Sequence, residues 1–162
     1  MSVYIDPNGV RATILGIRVS KDYTVASATA SLFTVTGLVL ITSIVGKVTT
    51  AMTVANTIKL VSNPTTGTAS DLCAATDLGT TDTPAGNLLS LSGHPAGAIV
   101  SGIGAAQLFP VQDNTVTTGG PKGIYVAAGV IQIVGTGTNP DGAITWTLTY
   151  VPIENDAQVT AA

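Results

Sequence analysis

The chain of 162 residues has few charged, aromatic or cysteine residues: 9% are charged and 4% aromatic, whereas 45% are hydrophobic. This composition excludes intrinsic disorder, because disordered chains are poor in apolar residues and rich in charge. The six basic residues are scattered against nine acidic ones, so no basic stripe is available and we expect no nucleic-acid partner. The longest apolar stretch, residues 37–48, is about half of the roughly 20 residues that a spanning helix needs, so we expect no membrane partner.

A single cysteine, Cys73, cannot form an intramolecular disulfide or a zinc-binding pair, so the hydrophobic core alone must hold the fold together. The first residues, MSVYIDPNGVRATILG, lack the positive-then-apolar pattern of a signal peptide. We therefore expect synthesis in a reducing cytoplasm.

Threonine, valine, alanine and glycine dominate what is present, and this mixture favours strands joined by tight turns. The clearest strand covers residues 143–153. In it Ile144, Trp146, Leu148 and Tyr150 alternate with three threonines, which predicts that these four side chains face the core. Trp146 is thus interpreted as a core residue rather than as a sugar-stacking platform. In residues 31–36 the same alternation predicts a strand that contributes Phe33 to the core.

Turn residues at 136–142 separate the last strand from an apolar segment at 123–135, and we predict that the two pair as a hairpin. A second pair is predicted from residues 31–36 and 38–50, interrupted by Gly37. Further strands are predicted at residues 11–20 and 53–62, and loops with short strands at 67–104.

The strand pattern, without alternating helices, predicts an all-β fold: a single antiparallel β-sandwich or a jelly-roll-like barrel. Residues 1–24 form an extended N-terminal arm or, alternatively, the first strand. Residues 25–153 form the body, and the small polar residues 154–162 form a short flexible C-terminal tail.

Residue types that carry catalysis are scarce. His94, the only histidine, lies among turn residues and is predicted to be an exposed loop residue, while Cys73 is predicted to be a small buried hydrophobe. Asp71, Asp77 and Asp82 lack the spacing of a calcium loop and are interpreted as solvated turn carboxylates. A calcium site assembled from several loops or between subunits is the alternative. We therefore predict a protein that is not an enzyme and that has no cofactor and no metal.

Two glycine clusters are interpreted as turns rather than as phosphate-binding loops. In residues 102–107 the third glycine of a dinucleotide fingerprint is replaced by Gln107. In residues 119–123 a lysine stands beside glycines, but Pro121 would remove an amide needed to cradle phosphate.

The sequence resembles a recurring type of small structural protein of tailed bacteriophages. The resemblance rests on five short blocks in the same order: LFTVTG at 32–37, VLIT at 39–42, GKVTT at 46–50, DLCAA at 71–75 and TWTLTYVP at 145–152. The glycine-rich segment 79–104 matches none of them. The resemblance implies a virion component, a capsid decoration (cement) protein on the outer capsid surface, made in the cytoplasm of the bacterial host. It implies the major capsid protein lattice as partner and self-association as a homotrimer, and it brings no catalytic residues.

Residues 1–24 hold Arg11, Arg18 and Lys21, half of all basic residues, and as an arm they would contact the capsid. An ordinary first strand of the sandwich has the same sequence signature. Two other functions remain open: a tail-tube, neck or head-fibre subunit, and a carbohydrate-binding β-sandwich module, which would need several exposed aromatic faces.

Overall fold

The computed structural model describes residues 16–91, 97–101 and 123–162. These residues form strands and no helix, so none of them belongs to a helix that could cross a membrane. The predicted all-β class is confirmed. The strands are β1 (Ile17–Thr24), β2 (Thr29–Thr36), β3 (Val39–Thr50), β4 (Asn56–Pro64), β5 (Ser70–Asp71), β6 (Thr76–Asp77), β7 (Leu88–Leu91), β8 (Ile99–Ser101), β9 (Ile124–Val126), β10 (Gly129–Gly137), β11 (Ala143–Pro152) and β12 (Gln158–Ala161).

The strands build two antiparallel sheets that pack face to face as a β-sandwich. Sheet I has the order β1-β11-β3-β7-β8, with β9 also paired to β3. Sheet II has the order β12-β2-β10-β4-β5, with β6 also paired to β4. The predicted strand at residues 53–62 corresponds to β4, and the predicted short strands of the middle segment correspond to β5 to β8.

The core lies between the two sheets and is made by the inward side chains of their central strands. On β11 the predicted alternation holds: Ile144, Trp146 and Leu148 are fully buried, and Tyr150 is nearly so. Phe33 of β2 is fully buried in the facing sheet. Burial of one such large side chain stabilises the fold by about 1.5–3 kcal/mol.

Gly46, in the middle of β3, makes room for the largest core side chain. It is the direct cross-strand partner of Trp146. A Cβ at position 46 would lie 3.0 Å from Cζ3 of Trp146 and 3.0 Å from Cγ2 of Ile144. A side chain here would therefore press on the indole ring, which explains a glycine inside a central strand where glycine normally weakens the sheet.

The predicted hairpin of residues 123–135 and 143–153 is wrong. β10 pairs with β2 and β4 in sheet II, whereas β11 pairs with β1 and β3 in sheet I. The intervening turn, with positive φ at Asn139 and Gly142, carries the chain from one sheet to the other. Alternation identifies the buried face of a strand, but two strands that face each other across a core satisfy it as well as two neighbours do.

The predicted pairing of residues 31–36 with 38–50 is wrong for the same reason. β2 belongs to sheet II and β3 to sheet I. Gly37 lies between them with a φ of 68°, a left-handed conformation that favours glycine. The chain changes sheets at this turn instead of folding back on itself.

The C-terminal segment differs from the predicted flexible tail. Residues 158–161 form β12, which pairs with β2 from Gln158↔Thr36 to Ala161↔Phe33. Ala157 and Val159 are buried. The segment is ordered because it alternates Ala157 and Val159 inward with polar residues outward, a signal too short to stand out against its small, polar composition.

The alternatives of arm and first strand are decided for part of the N-terminal segment. β1 pairs with β11 along its whole length, from Ile17↔Tyr150 to Thr24↔Ala143, and is therefore an edge strand of sheet I. The rest of the predicted arm, residues 1–15, lies outside the described residues.

Candidate interaction surface

The outer face of sheet I carries a stripe of hydroxyl groups, here called the hydroxyl face: Thr145, Thr147 and Thr149 of β11 with Ser20 of β1. The alternation that sends the large side chains of β11 into the core sends these three threonines outward. Ser20 lies opposite Thr147, and their hydroxyl oxygens are 2.9 Å apart. Such cross-strand contacts stabilise a sheet and leave a polar surface toward solvent.

The hydroxyl face is tied to its surroundings by further hydrogen bonds. The Thr145 hydroxyl donates to Oδ1 of Asp22 at 2.6 Å, and the Thr42 hydroxyl donates to the main-chain oxygen of Thr149 at 3.2 Å. Asp22 thereby lies against the same stripe, at the edge of the sheet. These contacts hold the side chains in place on the sheet surface.

The structure separates the three basic residues predicted to contact the capsid. Arg18 points outward from β1 and is exposed. Lys21 lies on the other face of β1, is half-buried, and its amine donates to the main-chain oxygen of Ala162 across the sandwich. Arg11 lies outside the described residues. Of the three, the structure therefore leaves Arg18 as an exposed outward cation.

An apolar row crosses the outer side of sheet I where β9 pairs with β3. Tyr125 lies opposite Leu40, and Leu40 lies opposite Val151 of β11, so the three side chains share one face. Tyr125 is 59% exposed, and Ile153, which follows β11, is 46% exposed. Exposed aromatic and aliphatic side chains of this kind are typical anchors of protein–protein contacts.

The main chain packs closely beside this apolar row. A Cβ at Gly123 would lie 2.8 Å from Cδ1 of Leu40 and 2.6 Å from the main-chain oxygen of Ile41. In the sequence, Tyr125 is only one residue of the apolar segment 123–135. Its exposure follows from its position on a strand whose neighbours, Ile124 and Val126, face the core side.

Cys73 is fully buried, and its sulfur accepts a hydrogen bond from the main-chain N–H of Leu60 at 3.2 Å. Burial raises the pKa of the thiol. The thiol is therefore protonated at neutral pH and lacks the character of a nucleophile.

The three aspartates of the middle segment do not converge. Asp71 pairs with Nζ of Lys59 at 2.9 Å, and Asp82 is exposed. Asp77 accepts hydrogen bonds from the N–H groups of Gly79 and Thr80 at 3.0 and 2.9 Å. The part of the chain that the structure describes contains no cluster of three groups suited to hold a metal ion.

Asp141 joins two of the crossover connections of the sandwich, a role that the sequence did not reveal because residues 136–142 carry only the pattern of a turn. Its Oδ1 accepts the N–H groups of Thr53 and Val54 at 2.8 and 2.9 Å, and its Oδ2 accepts the Thr53 hydroxyl at 2.7 Å. These bonds lower the pKa of Asp141, with the Thr53 hydroxyl contributing most. The loops that follow β3 and β10 are thus tied together.

His94 and both glycine clusters, residues 102–107 and most of 119–123, lie outside the described residues, apart from Gly123.

Comparison of the chain with protein-family models, with curated protein sequences and with solved structures finds no match.

Proposed function

We propose that the chain is a non-enzymatic structural protein that decorates the outer capsid surface of a tailed bacteriophage and binds the lattice of its major capsid protein. The observation that carries this proposal is the outer side of sheet I. There a hydrogen-bonded hydroxyl stripe and the apolar row with Tyr125 lie side by side on one exposed sheet face. Large exposed apolar side chains on a polar surface are typical of contact sites.

Three of the five sequence blocks of the resemblance lie in this sheet: VLIT and GKVTT in β3, and TWTLTYVP in β11, its direct neighbour. LFTVTG lies mainly in β2 and DLCAA begins at β5, both in sheet II. The central pair of sheet I therefore carries most of the resemblance on which the proposal rests.

In the proposed complex, Tyr125 and Ile153 bury apolar surface against neighbouring capsid subunits. Lys21 is not part of this contact, since its amine is occupied within the sandwich. Many copies bind to one head, and their small individual binding energies add up to stabilise the capsid lattice. The resemblance implies a homotrimer, whereas the open main-chain edge of β1 favours a two-fold pair.

Immunogold labelling of intact tailed-phage particles with an antibody to this protein tests the localisation. Gold spread over the head is the expected result. Gold on the tail or neck would overturn the decoration role and support a tail-tube, neck or head-fibre subunit.

A binding assay on capsids that lack the protein tests the contact surface. Tyr125→Ser should weaken capsid association, whereas Thr34→Ala, an exposed position on sheet II, should leave it unchanged. Equal binding by both variants would place the contact elsewhere.

A carbohydrate-binding module is a second candidate, and the exposed ring of Tyr125 is the observation that favours it. Sugar binding would stack a pyranose on that ring. A glycan array distinguishes the two proposals. A carbohydrate-binding module should give a signal that Tyr125→Ser abolishes, whereas a decoration protein should give no such signal.

A further inference from the structure

β1 is the longest edge strand of the described sandwich, with eight residues against four in β12, three in β8 and two each in β5 and β6. Edge strands present unpaired main-chain groups that pair readily with another chain. β1 is therefore the strand most able to extend its sheet across a molecular boundary.

One hydrogen bond shows which residues of β1 direct their main-chain N–H and C=O groups away from β11. The N–H of Val25 donates to the main-chain oxygen of Gly142 at 3.0 Å, directly after the β1–β11 ladder. Since bonding direction alternates along an antiparallel strand, odd-numbered residues bond to β11, and the main chains of Arg18, Ser20 and Asp22 point to the open edge. The described residues contain no main-chain partner for these three.

Arg18 and Asp22 stand four residues apart on the same outward face of β1. An antiparallel copy of β1 related by a two-fold axis at Ser20 would place Arg18 opposite Asp22 of the partner subunit and Asp22 opposite Arg18 of the partner subunit. The same register joins the free main-chain groups in three pairs that exchange about six hydrogen bonds. We propose that this chain forms a two-fold dimer by antiparallel pairing of its β1 strands about Ser20, with two reciprocal Arg18–Asp22 ion pairs.

Charge complementarity selects this register. The free main-chain groups lie on even-numbered residues, so alternative registers shift in steps of two residues between the strands. Such a shift sets Arg18 opposite Ser20 or Thr24 and loses both ion pairs. A shared patch that is complementary to itself is the requirement for a closed two-fold interface.

The inner face of β1 fits the same pairing. Ile17, which is 38% exposed in the single chain, would lie beside Tyr23 of the partner subunit. The amine of Lys21, on the same inner face, binds the main-chain oxygen of Ala162 within its own chain. The inference concerns the purified chain alone and does not depend on the proposed capsid function.

Variants with reversed charges at Arg18 and Asp22 test the pairing. Their mass in solution is measured by size-exclusion chromatography with light scattering and by sedimentation. The parent chain should have twice its monomer mass of 16.2 kDa. Arg18→Asp and Asp22→Arg should each weaken their own homodimer at least about tenfold, because each sets like charges opposite each other twice. Mixing these two variants should restore a heterodimer, and the double variant R18D/D22R should dimerise like the parent.

Asp22→Asn is the matched control, because it removes the charge and keeps an oxygen that can accept the hydrogen bond from Thr145. Circular dichroism verifies that every variant is folded. A parent that stays monomeric or forms a trimer would overturn the proposal. So would single reversals that dimerise as well as the parent, or a mixture of the two that fails to pair.

A disulfide fixes the register independently. Only the residue on the two-fold axis meets its own copy, at a main-chain separation that a disulfide spans. Ser20→Cys should therefore form a covalent dimer on mild oxidation, while Thr24→Cys, on the same strand face, should not. Equal cross-linking of the two variants, or none for Ser20→Cys, contradicts the proposed axis; the parent with its buried Cys73 gives the background.

Discussion

Replacement of Gly46 by alanine tests whether the central strands of sheet I are matched in shape to the indole of Trp146. The added Cβ would lie 3.0 Å from Cζ3 and 3.1 Å from Cε3 of that ring, whereas carbon atoms pack best at about 3.5–4.0 Å. The ring is fully buried, so it cannot move aside into solvent. We expect overpacking to cost about 1–3 kcal/mol.

Alanine also restricts the unfolded chain, which offsets the cost by about 0.4–1 kcal/mol. The net loss in the free energy of unfolding should therefore be about 1–2 kcal/mol. In a Trp146→Leu background the two ring contacts are removed, while Cγ2 of Ile144 stays 3.0 Å from the added Cβ. There Gly46→Ala should cost less than in the parent, and the difference is the coupling energy between the two sites.

Urea unfolding followed by far-UV circular dichroism measures all four chains of this double-mutant cycle without relying on tryptophan fluorescence. Trp146→Phe serves as a milder second background if the leucine variant is too unstable. An equal cost of Gly46→Ala in the parent and in the smaller backgrounds would refute the steric argument, because the penalty would then come from the strand itself.

Three further predictions follow from single contacts. Asp141→Asn should lower the urea midpoint at neutral pH, because it weakens the link to Thr53. Folding lowers the pKa of Asp141, so the stability that its carboxylate contributes is present above the ordinary value of 3.8 and is lost as the pH falls through the folded-state value. Urea midpoints of parent and variant should therefore converge across this acid range, and a constant gap would contradict this. Cys73 should react with a thiol reagent only after unfolding, as timed by absorbance in native buffer and in urea, and fast native labelling would contradict its burial. Val159→Ala should destabilise the fold by about 1–2 kcal/mol in thermal or urea unfolding, whereas Thr160→Ala on the exposed side of the same strand should change little, and equal effects would mean that β12 contributes no buried face.

Buried faces could be predicted from the sequence, but strand partners could not. The alternation in β11 identified four core residues, Ile144, Trp146, Leu148 and Tyr150. It does so because a strand with one solvent-facing side carries its buried apolar side chains at every second residue. It carried no information on whether β10 is a neighbour in the same sheet or faces β11 across the core. That choice depends on the crossover turns, whose geometry rests on Gly37, Asn139 and the Asp141 contacts.

The candidate surface was predictable only in part. Parity alone places Arg18 and Lys21 on opposite faces of a strand, so the sequence could have separated them once β1 was treated as a strand and not as an arm. The role of Tyr125 needed the pairing of β9 with β3, which brings together residues some 85 positions apart, as any non-local pairing in a sandwich does.

The long separation between β1 and β11 also governs how the chain behaves on the ribosome. β1 has β11 as its only ladder partner among the described strands, so it is synthesised long before that partner and stays without it until residues 143–150 have been made. Throughout that interval the edge that later pairs with β11 is open to other nascent chains. Arg18, Lys21 and Asp22 put three charges on this waiting strand in a protein with few charges elsewhere. Charged edge strands resist indiscriminate pairing. We therefore expect these residues to limit aggregation of the nascent chain, and neutralising them should increase the insoluble fraction on expression before any change in native stability is measurable.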